Sequence, residues 1–139
     1  MVNRSNTAHK VALTSVEDKI QILSEYFNNA SNVSFALIFG SYASGRQTKL
    51  SDLDIAIYFD NPPDGLDLLS LINTLSDLIG IEVDLAVLNN ASAFLRHQVM
   101  KNYVVLTIKD RVNYRRFREK TITDYDEYKF ISGINIYDR

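Results

Sequence analysis

The sequence predicts an α/β (α+β) domain in which a mixed sheet of about four strands is flanked by helices. Short apolar runs of strand length alternate with longer segments whose apolar residues recur at helical spacing. Glycine and proline residues mark the ends of several of these segments. A chain of 139 residues is long enough for one core and is most simply one domain.

Helices are predicted wherever apolar residues recur every three to four positions. The first follows Ser15, a good N-cap residue with acidic residues behind it, and the second ends at Gly80, as helices commonly do. The predicted helices cover residues 15–29, 66–80, 91–102 and 110–130. The last helix is charged and is followed by a tail of no assigned form.

Strands are predicted from four short apolar runs, at residues 33–39, 53–59, 81–88 and 103–109. The first run is unbroken, which is typical of a strand buried on both faces, and Gly40 and Ser41 end it. The second run alternates, so one of its faces carries only large apolar residues, namely Leu53, Ile55, Ile57 and Phe59. Pro62 and Pro63 predict the loop that follows.

The polar residues 1–14 are expected to form a flexible leader, and residues 15–139 a single domain. We expect no secretory signal and no membrane association, because the N-terminal segment has no apolar core and no apolar run approaches the ~20 residues that span a bilayer. The absence of cysteine excludes disulfides and thiolate metal sites, and it favours a cytoplasmic protein.

The net charge is −2 and the isoelectric point is about 5.6, whereas proteins that bind nucleic acid through its phosphates usually have a basic surface. We therefore expect no direct nucleic-acid partner. A local basic run, Tyr114–Lys120, fits either a solvated helix face or a contact with nucleotide or with an acidic partner. His97 is expected to face solvent or to lie at a helix end.

Three carboxylates are predicted to meet on one face of the sheet. Side chains alternate along a strand, so Asp52 and Asp54 share one face of the second strand, and Glu82, Asp84 and Ala86 share one face of the third. If the two strands pair with their apolar faces on the same side, Asp84 meets Asp52 and Asp54. Such a cluster needs a cation, and oxygen ligands favour Mg²⁺ or Mn²⁺. Two such ions can assist a phosphoryl displacement.

The Gly40-Ser41 turn supplies a candidate phosphate site beside these carboxylates. Glycine lets the backbone approach a phosphate closely, and the backbone N–H groups and the Ser41 hydroxyl can donate to its oxygens. Arg46 and Lys49 follow in the loop, within reach of a triphosphate tail. Each feature alone is common on protein surfaces. Together they predict metal-assisted phosphoryl or nucleotidyl transfer.

The segment GSYASGRQTKLSDLDIAIYF fits the pattern G-S-x10-D-x-D as Gly40, Ser41, Asp52 and Asp54, with Asp84 as a third carboxylate. It resembles the nucleotidyltransferase superfamily related to DNA polymerase beta. More narrowly, it resembles the MNT-domain minimal nucleotidyltransferases, the MntA-type antitoxins that are paired with HEPN-domain toxins. The resemblance covers roughly residues 15–110.

The resemblance implies a polymerase beta-like fold and a role for each motif residue. Asp52 and Asp54 would bind two Mg²⁺ ions, with Mn²⁺ as the other candidate metal. Asp84 would complete the metal site and help to activate the attacking hydroxyl. Gly40 and Ser41 would hold the β- and γ-phosphates of ATP.

The resemblance also implies an antitoxin that transfers AMP from ATP to a tyrosine hydroxyl of a partner HEPN-domain RNase toxin, silencing it within a hetero-oligomer. One departure concerns the loop: many relatives carry Ala-Arg-Gly after the Gly-Ser turn, whereas this chain has Ala43-Ser44-Gly45 and then Arg46. An alternative is a small-molecule nucleotidyltransferase, but those usually carry a further helical domain, for which little chain remains after residue 110. Another is an antitoxin that acts by binding alone, which would not need the carboxylates.

Overall fold

The computed structural model describes residues 15–137, with side chains to residue 131, and the predicted leader lies outside these residues. In chain order the elements are α1 (Val16–Asn29), β1 (Val33–Phe39), α2 (Ser41–Ser44), β2 (Leu53–Phe59), α3 (Gly65–Ile79), β3 (Val83–Val87), α4 (Ala93–Lys101), β4 (Val104–Ile108) and α5 (Arg111–Tyr137). No helix within residues 15–137 is long and apolar enough to cross a membrane.

The four strands form one mixed sheet, as predicted, and their order in it is β3-β2-β1-β4. The central strand β1 is antiparallel to both β2 and β4, whereas β2 and β3 are parallel. A parallel pair needs a crossover connection, and α3 provides it. The sheet therefore places the starts of β2 and β3 side by side at one end, next to the end of β1.

The two faces of the sheet are covered by different helices. On one face, α1 and α3 pack against the predicted apolar face of β2, whose four large residues are all buried. On the other face, Val99 of α4 and Phe117 of α5 pack over Ala56 of β2. The first face is a closed core. The second is covered at Ala56, while the side chains that precede Ala56 on the same face, Asp52 and Asp54, remain partly or fully exposed.

Several boundaries differ from the sequence prediction for local reasons. The third strand is shorter than predicted because a 3-10 turn begins at Leu88. The helix predicted from residue 91 begins at Ala93, because the Ser92 side chain caps it by accepting from the Leu95 N–H at 3.1 Å. The predicted C-terminal tail is instead helical as far as Tyr137. The one-turn helix α2 was not predicted at all.

The helices α4 and α5 are joined by polar and aromatic contacts. The Arg96 guanidinium donates to the Asp124 carboxylate at 2.9 Å and to the Thr121 hydroxyl at 3.4 Å. The His97 ring is stacked on the Tyr125 ring with centroids 3.5 Å apart. His97 is thus half-buried between helices rather than facing solvent. These contacts fix α4 against α5 over the second face of the sheet.

Candidate active site

The structure brings Asp54 and Asp84 together on the partly open face of the sheet. The parallel register pairs Asp54 directly with Asp84, and the neighbouring pair Ile55 and Leu85 points to the opposite face. Asp52 lies just before β2, two residues from Asp54. Asp52 and Asp84 are exposed and Asp54 is half-buried. This arrangement agrees with the pairing of apolar faces on one side that the sequence analysis required.

The charges of Asp84 and Asp52 act on the half-buried carboxyl of Asp54. Burial, and then the charges of Asp84 and Asp52, raise the pKa of the Asp54 carboxyl above its ordinary value. Within the described residues, however, no three His, Cys, Asp or Glu side chains stand close enough together to hold a metal ion as a ready-made cage. These observations are compatible, because Mg²⁺ in nucleotide sites is usually bound by one or two carboxylates together with substrate phosphates.

Gly40 follows β1, begins the Gly40-Ser41 turn and lies against Asp54. The preceding residue, Phe39 at the end of β1, pairs with Asp54 of β2. Gly40 has φ 74° and ψ −150°, a backbone conformation that is essentially restricted to glycine. A Cβ atom at this position would lie 2.3 Å from Oδ2 of Asp54. Only glycine therefore allows the turn to approach the carboxylate so closely.

A cavity of about 410 Å³ opens beside this turn, within the size range of ligand pockets. It is lined by Gly40, Ser41, Ser44, Arg46, Gln98, Lys101 and Asn102. The turn is held by its own backbone, since the Ala43 and Ser44 N–H groups both donate to the Gly40 carbonyl at 3.1 Å. The cavity therefore adjoins the carboxylates through Gly40 and presents a glycine backbone, hydroxyl groups and cations.

The predicted loop cations differ in their position. Arg46 lines the cavity, whereas Lys49 is exposed and is not among the lining residues. Lys49 lies in a segment closed by hydrogen bonds from the Thr48 N–H to the Ser51 hydroxyl and from the Ser51 N–H to the Thr48 carbonyl. The structure thus places Arg46, but not Lys49, next to the Gly40-Ser41 turn.

Sequence reasoning missed the second wall of the cavity, which Gln98, Lys101 and Asn102 of the α4 region provide. Gln98 and Lys101 are three residues apart and lie on one side of the helix. That spacing predicts a shared polar face. It does not predict which surface the face meets, because that depends on how α4 packs on the sheet.

We expect Asp54→Asn to raise the thermal stability of the metal-free protein at pH 7, by about 2 °C. A raised carboxyl pKa means that ionised Asp54 destabilises the fold. This loss of stability is absent below pH 3.8, the ordinary pKa of the carboxyl. It grows as the pH rises through the higher pKa that Asp54 has in the folded protein. Thermal unfolding in a chelator at several pH values tests this.

Asp60→Asn removes the same charge from the exposed end of β2 and serves as the control. The stability gain should be larger for Asp54→Asn, and it should vanish below pH 3.8. Added Mg²⁺ should stabilise the unaltered protein more than the Asp54→Asn variant. A lower stability of metal-free Asp54→Asn at pH 7 would mean that the carboxylate has a stabilising partner instead.

Comparison with known proteins agrees with this geometry. The family described as "Polymerase beta, Nucleotidyltransferase" matches residues 21–112, which include every strand and all of the predicted site residues. A Methanocaldococcus jannaschii protein, provisionally named a protein adenylyltransferase, is 37% identical over 75 residues, or 54% of this chain and 76% of that protein. The protein adenylyltransferase MntA of Shewanella oneidensis is 33% identical over 73 residues, or 52% of each chain.

Among solved structures, the chain is similar to one in a crystal structure of a toxin-antitoxin with AMP-PNP. The TM-score is 0.72 at 29% identity, and the match covers 89% of this chain and 98% of the other. The similarity therefore extends beyond the motif residues to nearly the whole domain. The family match covers more than half of the chain and coincides with the sheet that carries the three carboxylates. This chain belongs to the polymerase beta nucleotidyltransferase family.

Proposed function

We propose that this chain is an antitoxin that transfers AMP from ATP to a tyrosine hydroxyl of a partner HEPN-domain RNase toxin. The observation that carries the proposal is the direct contact between two half-sites: the Gly40 turn lies against Asp54, and Asp54 is paired with Asp84. A triphosphate in the cavity would have its reacting phosphate beside the carboxylates. The adenylyltransferase and toxin-antitoxin names of similar proteins support this acceptor class.

In the proposed reaction the tyrosine oxygen attacks the α-phosphorus of ATP. The new O–P bond forms as the bond between the α- and β-phosphates breaks, and pyrophosphate leaves with the electron pair. In this proposal Asp84 accepts the hydroxyl proton, which its exposure next to Asp54 supports. Gly40, Ser41 and Arg46 hold the leaving phosphates in line, which is the main contribution that a protein makes to phosphoryl transfer.

We also propose that Asp52, Asp54 and Asp84 would hold two Mg²⁺ ions between them, with one or two of the carboxylates to each ion and with Mn²⁺ as the other candidate. The residues fit such an ion, because they offer only oxygen ligands and because burial, and then the charges of Asp84 and Asp52, raise the pKa of the Asp54 carboxyl, a penalty on its ionised form that a cation would offset. When bound, the ion would supply positive charge to the reacting phosphate and the leaving group.

A protein acceptor suits the shape of the site better than a small molecule. Asp52 and Asp84 are exposed, so a side chain on a partner's surface could reach the reacting phosphate. Within the described residues, the chain after β4 forms only α5, whose Phe117 packs on the sheet near Ala56. We further propose a cytoplasmic setting, which the absence of cysteine favours.

The test is the intact mass of the protein encoded beside this one, purified after co-expression with this chain. We expect a gain of one or more AMP units, located by peptide mapping on a tyrosine, with loss of RNase activity. An unmodified partner in a tight complex would favour neutralisation by binding alone. An unmodified partner without a complex, together with adenylylation of small hydroxyl compounds, would favour the small-molecule alternative.

A further inference from the structure

We propose that Lys101, at the end of α4, binds the terminal phosphates of ATP across the cavity from Arg46. This inference deepens the proposed function, on which it rests, by naming the second cation of the triphosphate site. The sequence pattern predicts Arg46 and Lys49 of the loop as the cations of this site.

The cavity has two walls that come from distant parts of the chain. Gly40, Ser41, Ser44 and Arg46 form one wall, and Gln98, Lys101 and Asn102 form the other. A phosphate held by the Gly40-Ser41 turn would therefore have two cations in the same cavity, Arg46 from the turn and Lys101 from the end of α4. Cations from two separate segments can approach different oxygens of a polyphosphate.

The charge of Lys101 is available to a ligand. Its side chain is exposed, and neither of the two ion pairs found among the described residues includes it. Burial, and then the positive charges of Lys101 and Lys129, lower the pKa of His97. The positive charge of Lys101 thus acts on a neighbouring side chain of α4.

Packing holds the polar side of α4 towards the turn. Val99 is fully buried beneath α4, and Arg96 joins α4 to α5 through Asp124. Gln98 and Lys101 are fixed by this orientation on the side that lines the cavity. A lysine in the last turn of a helix also favours the helix dipole, which is a structural role that needs no ligand. Only the phosphate-binding role predicts that the loss of Lys101 weakens the binding of nucleotide.

The experiment measures binding of ATP, AMP and inorganic tripolyphosphate, each with Mg²⁺, to the isolated chain. We expect Lys101→Met to weaken the binding of ATP and tripolyphosphate by about tenfold, since a charge-assisted contact is lost, and to leave AMP binding unchanged. Lys101→Arg should retain most of the affinity. Lys49→Met should weaken ATP binding less than Lys101→Met.

Arg111→Met, at the exposed start of α5 and outside the basic run Tyr114–Lys120, removes one positive charge away from the cavity and controls for net charge. The inference is overturned if Lys101→Met binds tripolyphosphate as well as the unaltered chain does. It is also overturned if the substitution weakens AMP equally, if Lys49→Met has the larger effect, or if the unaltered chain binds no tripolyphosphate.

These binding measurements need no partner protein, so the two proposals can fail separately. A chain that binds ATP through Lys101 but modifies no partner would refute the proposed function and leave this inference standing. A chain that modifies its partner while Lys101→Met binds and uses ATP normally would refute the inference alone. In the transfer assay, Lys101→Met should raise KM for ATP more than it lowers kcat, whereas a merely structural role would change neither.

Discussion

Asp54→Asn and Asp52→Asn are each expected to abolish AMP transfer, lowering kcat by about a thousandfold or more. Asp54 is central because it is paired with Asp84 and lies against the Gly40 turn. Asparagine keeps the size of the side chain but removes the charge that attracts a divalent cation. The measurement is the initial rate of AMP incorporation into the purified partner at saturating ATP and Mg²⁺.

Asp54→Asn should raise the thermal stability of the metal-free protein while it lowers the rate of AMP transfer. The variant should be folded and slightly more stable without metal, because the raised pKa of the Asp54 carboxyl marks a charge that destabilises the protein. Asp60→Asn, at the far end of β2, should transfer AMP at the normal rate. Normal transfer by both Asp52→Asn and Asp54→Asn would refute the assignment of the carboxylates.

The parts of the fold that the sequence predicted are those controlled by local pattern. The bounds of β1 and β2 agree with the prediction, because an apolar run or an alternating run ends at a glycine or a polar loop. The end of α5 was missed because Gly133 lies in the helix interior, where glycine is unfavourable. The helix α2 was missed because four residues after a glycine with positive φ have no period to detect.

The candidate site likewise has one part that local sequence pattern predicts and another that depends on tertiary packing. The period of two in strands sufficed to place Asp54 and Asp84 on one face, and the register then made them neighbours. The facing wall of the cavity could not be predicted, because the position of Lys101 depends on how Val99 and Arg96 dock α4 between the sheet and α5. Sequence motifs predicted the carboxylates and the turn of the proposed site, and tertiary packing brings Lys101 to the cavity beside that turn.

Gly40→Ala is expected to lower both stability and activity. The backbone at φ 74° and ψ −150° costs a residue with a side chain about 1–3 kcal/mol, and the added Cβ would also overlap Oδ2 of Asp54 at 2.3 Å. We expect the melting temperature to fall by about 5–10 °C and the transfer rate by about a hundredfold or more. Thermal unfolding in a chelator and the partner-modification assay measure the two effects.

Gly45→Ala and Gly80→Ala separate backbone strain from the clash. Both glycines have positive φ, 77° and 78°, but a Cβ at either meets no atom within 4 Å. Each variant should therefore be destabilised only by the backbone strain of alanine at positive φ. Adding Asp54→Ala to Gly40→Ala leaves the nearest remaining Asp54 atom, its Cβ, at 3.4 Å, so the double variant should be more stable than additivity predicts. Additive effects in this cycle, with Gly40→Ala no more harmful than Gly80→Ala, would mean that the turn and the carboxylate are not in contact. The Gly40 turn and the carboxylates would then be independent of each other. The proposal of nucleotidyl transfer would lose the contact on which it is based.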